Sequence, residues 1–154
     1  MIKRYLESII EERMGHGKAI VLFGARQVGK TTMLKNLLAG RDDVLWLNGD
    51  EQDERNLFEN VSSTMLKTII GKKSVVVIDE AQRISDNGIG IKLITDNIPD
   101  VQVLATGSSS FDLSNKINEP LTGRKMEYWM YPLSFGSLLS IMVCWKRNAC
   151  WLIA

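Results

Sequence analysis

Apolar residues recur along this chain with two spacings, and the two alternate. Residues 2–13 place Ile2, Tyr5, Leu6, Ile9 and Ile10 at helical intervals, with Lys3, Arg4, Glu7, Glu11 and Glu12 elsewhere. That pattern predicts an amphipathic helix, which Gly15 and Gly17 end. Residues 18–23 (KAIVLF) form a short apolar run of the kind buried on both faces of a sheet. Helical spacing resumes over 31–39 with Met33, Leu34, Leu37 and Leu38, and Gly40 offers a C-cap. The cycle repeats: a strand is predicted at 44–47, a polar connection at 50–54, and then a helix carrying Leu57, Val61, Met65 and Ile69 that Gly71 closes. Further strands are predicted at 75–78 and 101–105, with a helix over 89–97 between them and Pro99 in the following turn. Residues 126–131 fit a fifth, more exposed strand. Strands alternating with helices predict an α/β domain on a mainly parallel sheet.

Composition narrows the picture little. The 154 residues suit one domain, and 45% hydrophobic with 24% charged residues is ordinary for a globular fold. A net charge of +1 gives no sign of a broad nucleic-acid surface or a polybasic membrane tail. Cys144 and Cys150 make no disulfide framework and have no histidine nearby to form a zinc site, so two reduced thiols in a cytoplasmic protein are expected. Glu7, Glu11 and Glu12 interrupt the N-terminal apolar residues, which argues against a signal peptide. No run approaches the ~20 apolar residues of a spanning helix. His16, between two glycines, has no partner at metal or triad spacing. Trp46 and Trp129 fall in strand patterns and are expected in a core or an interface.

The chemistry is concentrated at strand ends. Gly24-Ala25-Arg26-Gln27-Val28-Gly29-Lys30-Thr31 matches G-x-x-x-x-G-K-[ST] at every fixed position, between a predicted strand and a predicted helix. Gly24 and Gly29 are expected to allow the backbone angles that turn successive N–H groups toward a β-phosphate. Lys30 then reaches the β- and γ-phosphates, Thr31 ligates Mg²⁺, and the helix beginning there, with Thr32 in its first turn, adds its positive end. Arg26 is expected to be exposed. The run Ser74–Ile78 ends in Asp79-Glu80, placing Asp79 to hold Mg²⁺ and Glu80 to activate a water. A phosphoryl-transfer kinase needs no water-activating base, so Glu80 favours hydrolysis. A GTPase would carry Asn-Lys-x-Asp; Asn115-Lys116-Ile117-Asn118 lacks the final Asp and follows no apolar strand, so ATP is favoured.

The strand over 101–105 runs into Thr106-Gly107-Ser108-Ser109-Ser110. Thr106 or Ser108 fits a γ-phosphate sensor, while Ser109 or Ser110 fits an N-cap for a helix through Phe111 and Leu113. Arg124 fits an arginine finger, in cis or toward a neighbouring subunit, and equally a solvated turn residue. Arg83 reads as a surface residue.

GARQVGKTT, VVVIDEAQ, ATGSSSFDL and EPLTGRKMEYWMYPLSF, in this order and spacing, resemble a family of prokaryotic AAA-like ATPases. In that family a P-loop core is usually followed by a C-terminal domain of unknown function. The resemblance covers about residues 5–135 and implies a three-layer P-loop NTPase fold with sheet order 5-1-4-3-2. It also implies phosphate and Mg²⁺ binding by Lys30 and Thr31, an Asp79–Glu80 Walker B pair, Ser108 in the sensor segment, and Arg124 in the Gly-Arg of the family motif. Residues 1–135 then form the ATPase core. Residues 136–154 depart from the pattern and are expected to be a truncated or frame-shifted remnant, at a cost to turnover and with a tendency to self-associate. Two functions fit: an ATP hydrolase coupled to a conformational change in a partner, and a nucleotide-dependent switch with little turnover acting on protein or DNA. No helix-turn-helix, zinc module or basic stripe supports a nucleic-acid partner.

Overall fold

Burial, more than intrinsic propensity, decides which segments become strands. In a computed structural model that describes residues 5–108 and 121–132, five strands form: β1 (Ala19–Gly24), β2 (Val44–Asn48), β3 (Val75–Asp79), β4 (Gln102–Gly107) and β5 (Lys125–Met130). They pair in parallel in the order β2-β3-β4-β1-β5, which is the expected 5-1-4-3-2 read from the other edge. β1, β3 and β4 are buried along their whole length, which is why their sequences show no polar–apolar alternation; their buried polar residues, Asp79, Gln102 and Thr106, lie at strand ends. Among the described strands β2 and β5 lie at the two ends of the order, and both are only partly buried.

The helices are α1 (Tyr5–Arg13), α2 (Lys30–Leu37), α3 (Gln52–Asn56), α4 (Ser63–Ile70) and α5 (Asn87–Asn97). Ile10 of α1 and Met33 and Leu34 of α2 pack with Ile20, Leu22, Val77 and Leu104 on one face of the sheet. Leu66 and Ile70 of α4 and Ile91 and Ile94 of α5 pack with Val21, Phe23, Val76 and Ile78 on the other. The result is the expected three-layer α/β arrangement, with every strand's C-terminal end at one edge.

Two expectations between β2 and β3 are corrected. The polar stretch after β2 is not merely a connection: Gln52–Asn56 forms α3, tied by a Gln52–Asn56 side-chain bond of 2.8 Å. The helix expected from Leu57 onward begins only at Ser63. Asn60 adopts a left-handed φ of 55°, and Ser62 caps α4 by accepting from the Met65 N–H at 3.2 Å. The break moves the buried face by one residue. Phe58, Leu66 and Ile70 are buried, while Met65 is 40% exposed. A capping hydroxyl, favoured at Ncap and neutral inside a helix, outweighed the four-residue repeat.

The expected helix through Phe111 and Leu113, the Asn115–Asn118 segment and the tail 136–154 lie outside the described residues. No described helix is long and apolar enough to cross a membrane.

Candidate nucleotide site

The first turn out of β1 brings backbone amides together. Gln27 (φ 66°) and Gly29 (φ 92°) are both left-handed and flank buried Val28, so the loop curls with its middle anchored and Ala25, Arg26 and Gln27 outside. Such alternation of right- and left-handed residues makes a concave N–H cradle. Gly29 is also the N-cap of α2 and has no side chain with which to satisfy the first-turn amides of Lys30, Thr31 and Thr32. Thr32 is exposed in that turn.

Gly24 has a different reason from the one expected. Its φ is not left-handed. It ends β1 opposite Met130, and a Cβ there would lie 2.4 Å from the Met130 carbonyl oxygen. Position 24 is glycine because β5 passes too close for any side chain.

Lys30 is only 4% exposed and folds back over its own loop, donating from Nζ to Gly24 O at 2.8 Å and to Ala25 O at 3.0 Å. Burial pushes its ammonium below the usual 10.5, and the carboxylates of Glu80 and Asp79 offset part of that effect. Between the lowered value and 10.5 the unfolded chain therefore binds more protons at this group than the native chain. Its contribution to stability rises with pH through that window. Urea unfolding of the nucleotide-free wild type and Lys30→Met at pH 7 and pH 10 checks this. The wild type is expected to gain stability relative to the variant at the higher pH, and a difference that does not move would remove the buried charge from the account.

Three strand ends converge beside the loop. The Thr31 hydroxyl donates to Asp79 at 2.9 Å (Oδ2) and 3.1 Å (Oδ1). From the end of β4, the buried Thr106 hydroxyl donates to Asp79 Oδ1 and accepts from the Glu80 N–H at 3.1 Å. Glu80 is left-handed (φ 51°), and its carboxylate accepts from Gln82 Nε2. Gly49, just past β2, donates its N–H to Asp79 O at 2.8 Å, and a Cβ there would lie 2.4 Å from Glu80 O. Ser108 follows β4 at this same edge. Arg83 is exposed and pairs with Asp50 at 2.7 Å, in keeping with a surface position.

Arg124 is not brought to this cluster. It precedes β5, its carbonyl accepts from the Ala19 N–H, and its guanidinium pairs with Asp96 at 2.6 Å. Ala19 begins β1 and the loop follows Gly24, so about 20 Å of strand separates Arg124 from the loop of its own chain. This position is not that of a finger in cis, and the partly exposed ion pair with Asp96 fits the solvated turn residue that was the other expectation.

Sequence reading did not single out Gln82 or Gly49. The signal for Gln82 was its place two residues after Glu80. Gly49 had none, because its constraint comes from a carbonyl thirty-one positions further along the chain.

A parallel sheet with a phosphate-type loop after its inner strand, and acidic residues at the end of the strand two positions away, defines a P-loop nucleotide-binding domain. The chain belongs to the AAA domain family, which it matches over residues 16–139, and is an AAA-type P-loop ATPase domain. It is 27% identical over 134 residues to an uncharacterized protein of Methanocaldococcus jannaschii, covering 84% of this chain and 30% of that one. It is 30% identical over 77 residues to the replication factor C large subunit of Methanosarcina acetivorans, covering 48% of this chain and 13% of that one. The fold is similar to a Walker-type ATPase of Pyrococcus abyssi, with TM-score 0.67 and 19% identity over 100% of this chain and 60% of the other. It is also similar to Drosophila ORC bound to DNA, with TM-score 0.63 and 13% identity over 86% of this chain and 92% of the other. The chain thus spans less than a third of the length of either curated relative.

Proposed function

We propose that this chain binds ATP with Mg²⁺ at the C-terminal edge of its sheet and hydrolyses the terminal phosphate, coupling that step to a conformational change in a partner macromolecule. The observation that carries the reading is the meeting of Thr31 with Asp79 at 2.9 Å, directly beside the buried Lys30. Two hard oxygen donors, one of them anionic, match what Mg²⁺ takes from protein when phosphate oxygens and water complete its shell. Thr31 and Asp79 would hold the ion, whose charge offsets that of the phosphates.

The chain's own residues do the rest. Amide N–H groups of Ala25 to Thr32, at the loop and the start of α2, donate to the phosphate oxygens. Lys30 exchanges the carbonyls of Gly24 and Ala25 for β- and γ-phosphate oxygens. Thr106 holds Asp79 from behind and fixes the Glu80 backbone, leaving the Glu80 carboxylate to take a proton from the attacking water. Ser108, at the same edge, is placed to sense the γ-phosphate, and Arg124 takes no part in the site of its own chain.

Calorimetric titration with ATP and GTP in Mg²⁺, followed by steady-state phosphate release, tests this on wild type and Lys30→Ala. Micromolar ATP binding that Lys30→Ala removes, accompanied by release, is the expected result. Tight binding with no release would replace the hydrolase with a nucleotide switch. Equal binding of GTP would sink the adenine preference.

A further inference from the structure

Asn87 is the first residue of α5 and is fully buried. Its Nδ2 donates to the carbonyl oxygen of Ala81, the residue after Glu80. Its other end, Oδ1, is buried and meets no donor among the described residues. Turning the amide over would set Oδ1 against the Ala81 oxygen, acceptor against acceptor, so the bond fixes the orientation. The Ala81 oxygen does not depend on this donor, because it also accepts from the Ile84 N–H at 3.0 Å. A buried amide with an orphaned acceptor is less stable than an apolar side chain of similar shape in its place. Stability therefore does not account for an asparagine here.

The bond holds a peptide plane. Ala81 O and the Gln82 N–H belong to one planar unit, so a donor on that oxygen steadies the peptide from which Gln82 projects. The Gln82 side chain in turn donates from Nε2 to Glu80 Oε2. Glu80 is left-handed at φ 51°, a conformation that persists where its surroundings over-determine it. Thr106 holds its N–H, Gly49 lies against its carbonyl oxygen, and Asn87 holds the next carbonyl along. The anchor is itself wedged. A Cβ on Gly90, in the first turn of α5, would lie 2.5 Å from Cδ1 of the buried Phe58 ring.

We propose that Asn87 is a positioning residue for Glu80, acting through the 81–82 peptide and the Gln82 side chain to keep the carboxylate in place while it takes the proton of the attacking water. Asn87 touches neither nucleotide nor water. Local stability is given up for a fixed base, a trade that active sites make. The inference rests on the hydrolase reading and deepens it.

The test uses the full 154-residue chain, with Asn87→Leu and Asn87→Ala made alone and in a Glu80→Gln background. Asn87→Leu keeps the branched shape and removes both the donor and the orphaned acceptor. Asn87→Ala removes the same groups without added volume, and stands in if leucine overfills the site. The measurements are kcat for phosphate release, ATP affinity by calorimetry and the thermal midpoint. Each single variant is expected to lower kcat about 10-fold with ATP affinity held within about two-fold. The midpoint should fall by no more than about 3 °C, and leucine should leave it equal or higher. In the Glu80→Gln background either variant should change the residual rate by less than about two-fold, because Glu80 is the route from Asn87 to the water. An unchanged kcat in both variants, equal losses in both backgrounds, or a fall in kcat that brings lost ATP affinity would each overturn the assignment. A midpoint that falls further in both variants would return Asn87 to a structural role. A wild type that binds ATP yet cleaves none, even in single turnover with labelled nucleotide, would overturn the hydrolase reading and this role with it, and shows itself before any variant is made.

Discussion

Exchanging Glu80 for Gln is expected to lower phosphate release about 10³-fold while leaving ATP affinity equal or slightly tighter. The rate falls because an amide cannot take the proton of the attacking water. Geometry is preserved, since Gln82 Nε2 can donate to the new amide oxygen as it does to the carboxylate, and the Thr106 bond to the Glu80 N–H involves only backbone. Affinity does not fall because the variant removes a negative charge from the neighbourhood of a polyanion. Parallel measurement of kcat and the ATP dissociation constant separates the two effects. A loss of affinity as large as the loss of rate would mean that Glu80 shapes the site and does no proton transfer.

The second large effect is on the fold. Gly24→Ala is expected to destabilise the nucleotide-free protein by about 3 kcal/mol, a drop in thermal midpoint of about 10 °C for a chain of this size. A Cβ at position 24 would meet Met130 O at 2.4 Å and Val28 Cγ2 at 3.2 Å. The nearer atom is backbone of a paired strand and cannot rotate away, so β5 must shift or the β1–β5 ladder must open. Gly29→Ala is a useful contrast. Its cost is left-handed strain of about 1–2 kcal/mol, with no clash nearer than Met130 Cε at 3.9 Å. Thermal unfolding without nucleotide should rank Gly24→Ala clearly below Gly29→Ala. The reverse order would return position 24 to the purely phosphate-cradling reading.

Sequence patterns revealed the inner strands because burial on both faces leaves a signature that needs no partner to be read. KAIVLF and SVVVID are apolar at nearly every position, and β1 and β3 lie where those runs lie. The three-layer order was legible from motif order and family resemblance. Between β2 and β3 the four-residue repeat misled, because Leu57, Val61, Met65 and Ile69 share an ideal helical face that the Asn60 and Ser62 backbone does not build. The loop and the acidic pair were legible as motifs, and their meeting was not. The Thr31–Asp79 contact spans 48 positions and depends on β4 lying between β1 and β3. Arg124 shows the opposite failure. Its motif context is shared with residues of the site, but the parallel register Ala19↔Lys125 puts it at the far edge of the sheet. Only register decides which end of a strand a residue occupies.

The strand order also sets a timetable. Of the five described strands, β1, which carries the loop, is synthesised first, yet its two neighbours are synthesised last, through pairings such as Ile20↔Leu104 and Ala19↔Lys125. At ribosomal rates of 5–20 residues per second, the wait for those partners is on the order of 5 to 20 s. Throughout it, a six-residue apolar run has no native ladder, and loop closure over so many residues makes its pairing slow even afterwards. A bound nucleotide could lend no stability during this interval, because the C-terminal edge of the sheet proposed to hold it does not exist until β4 has docked against β1. Recruitment of a chaperone to the nascent chain should therefore peak before residue 107 has emerged and decline once β5 has followed it.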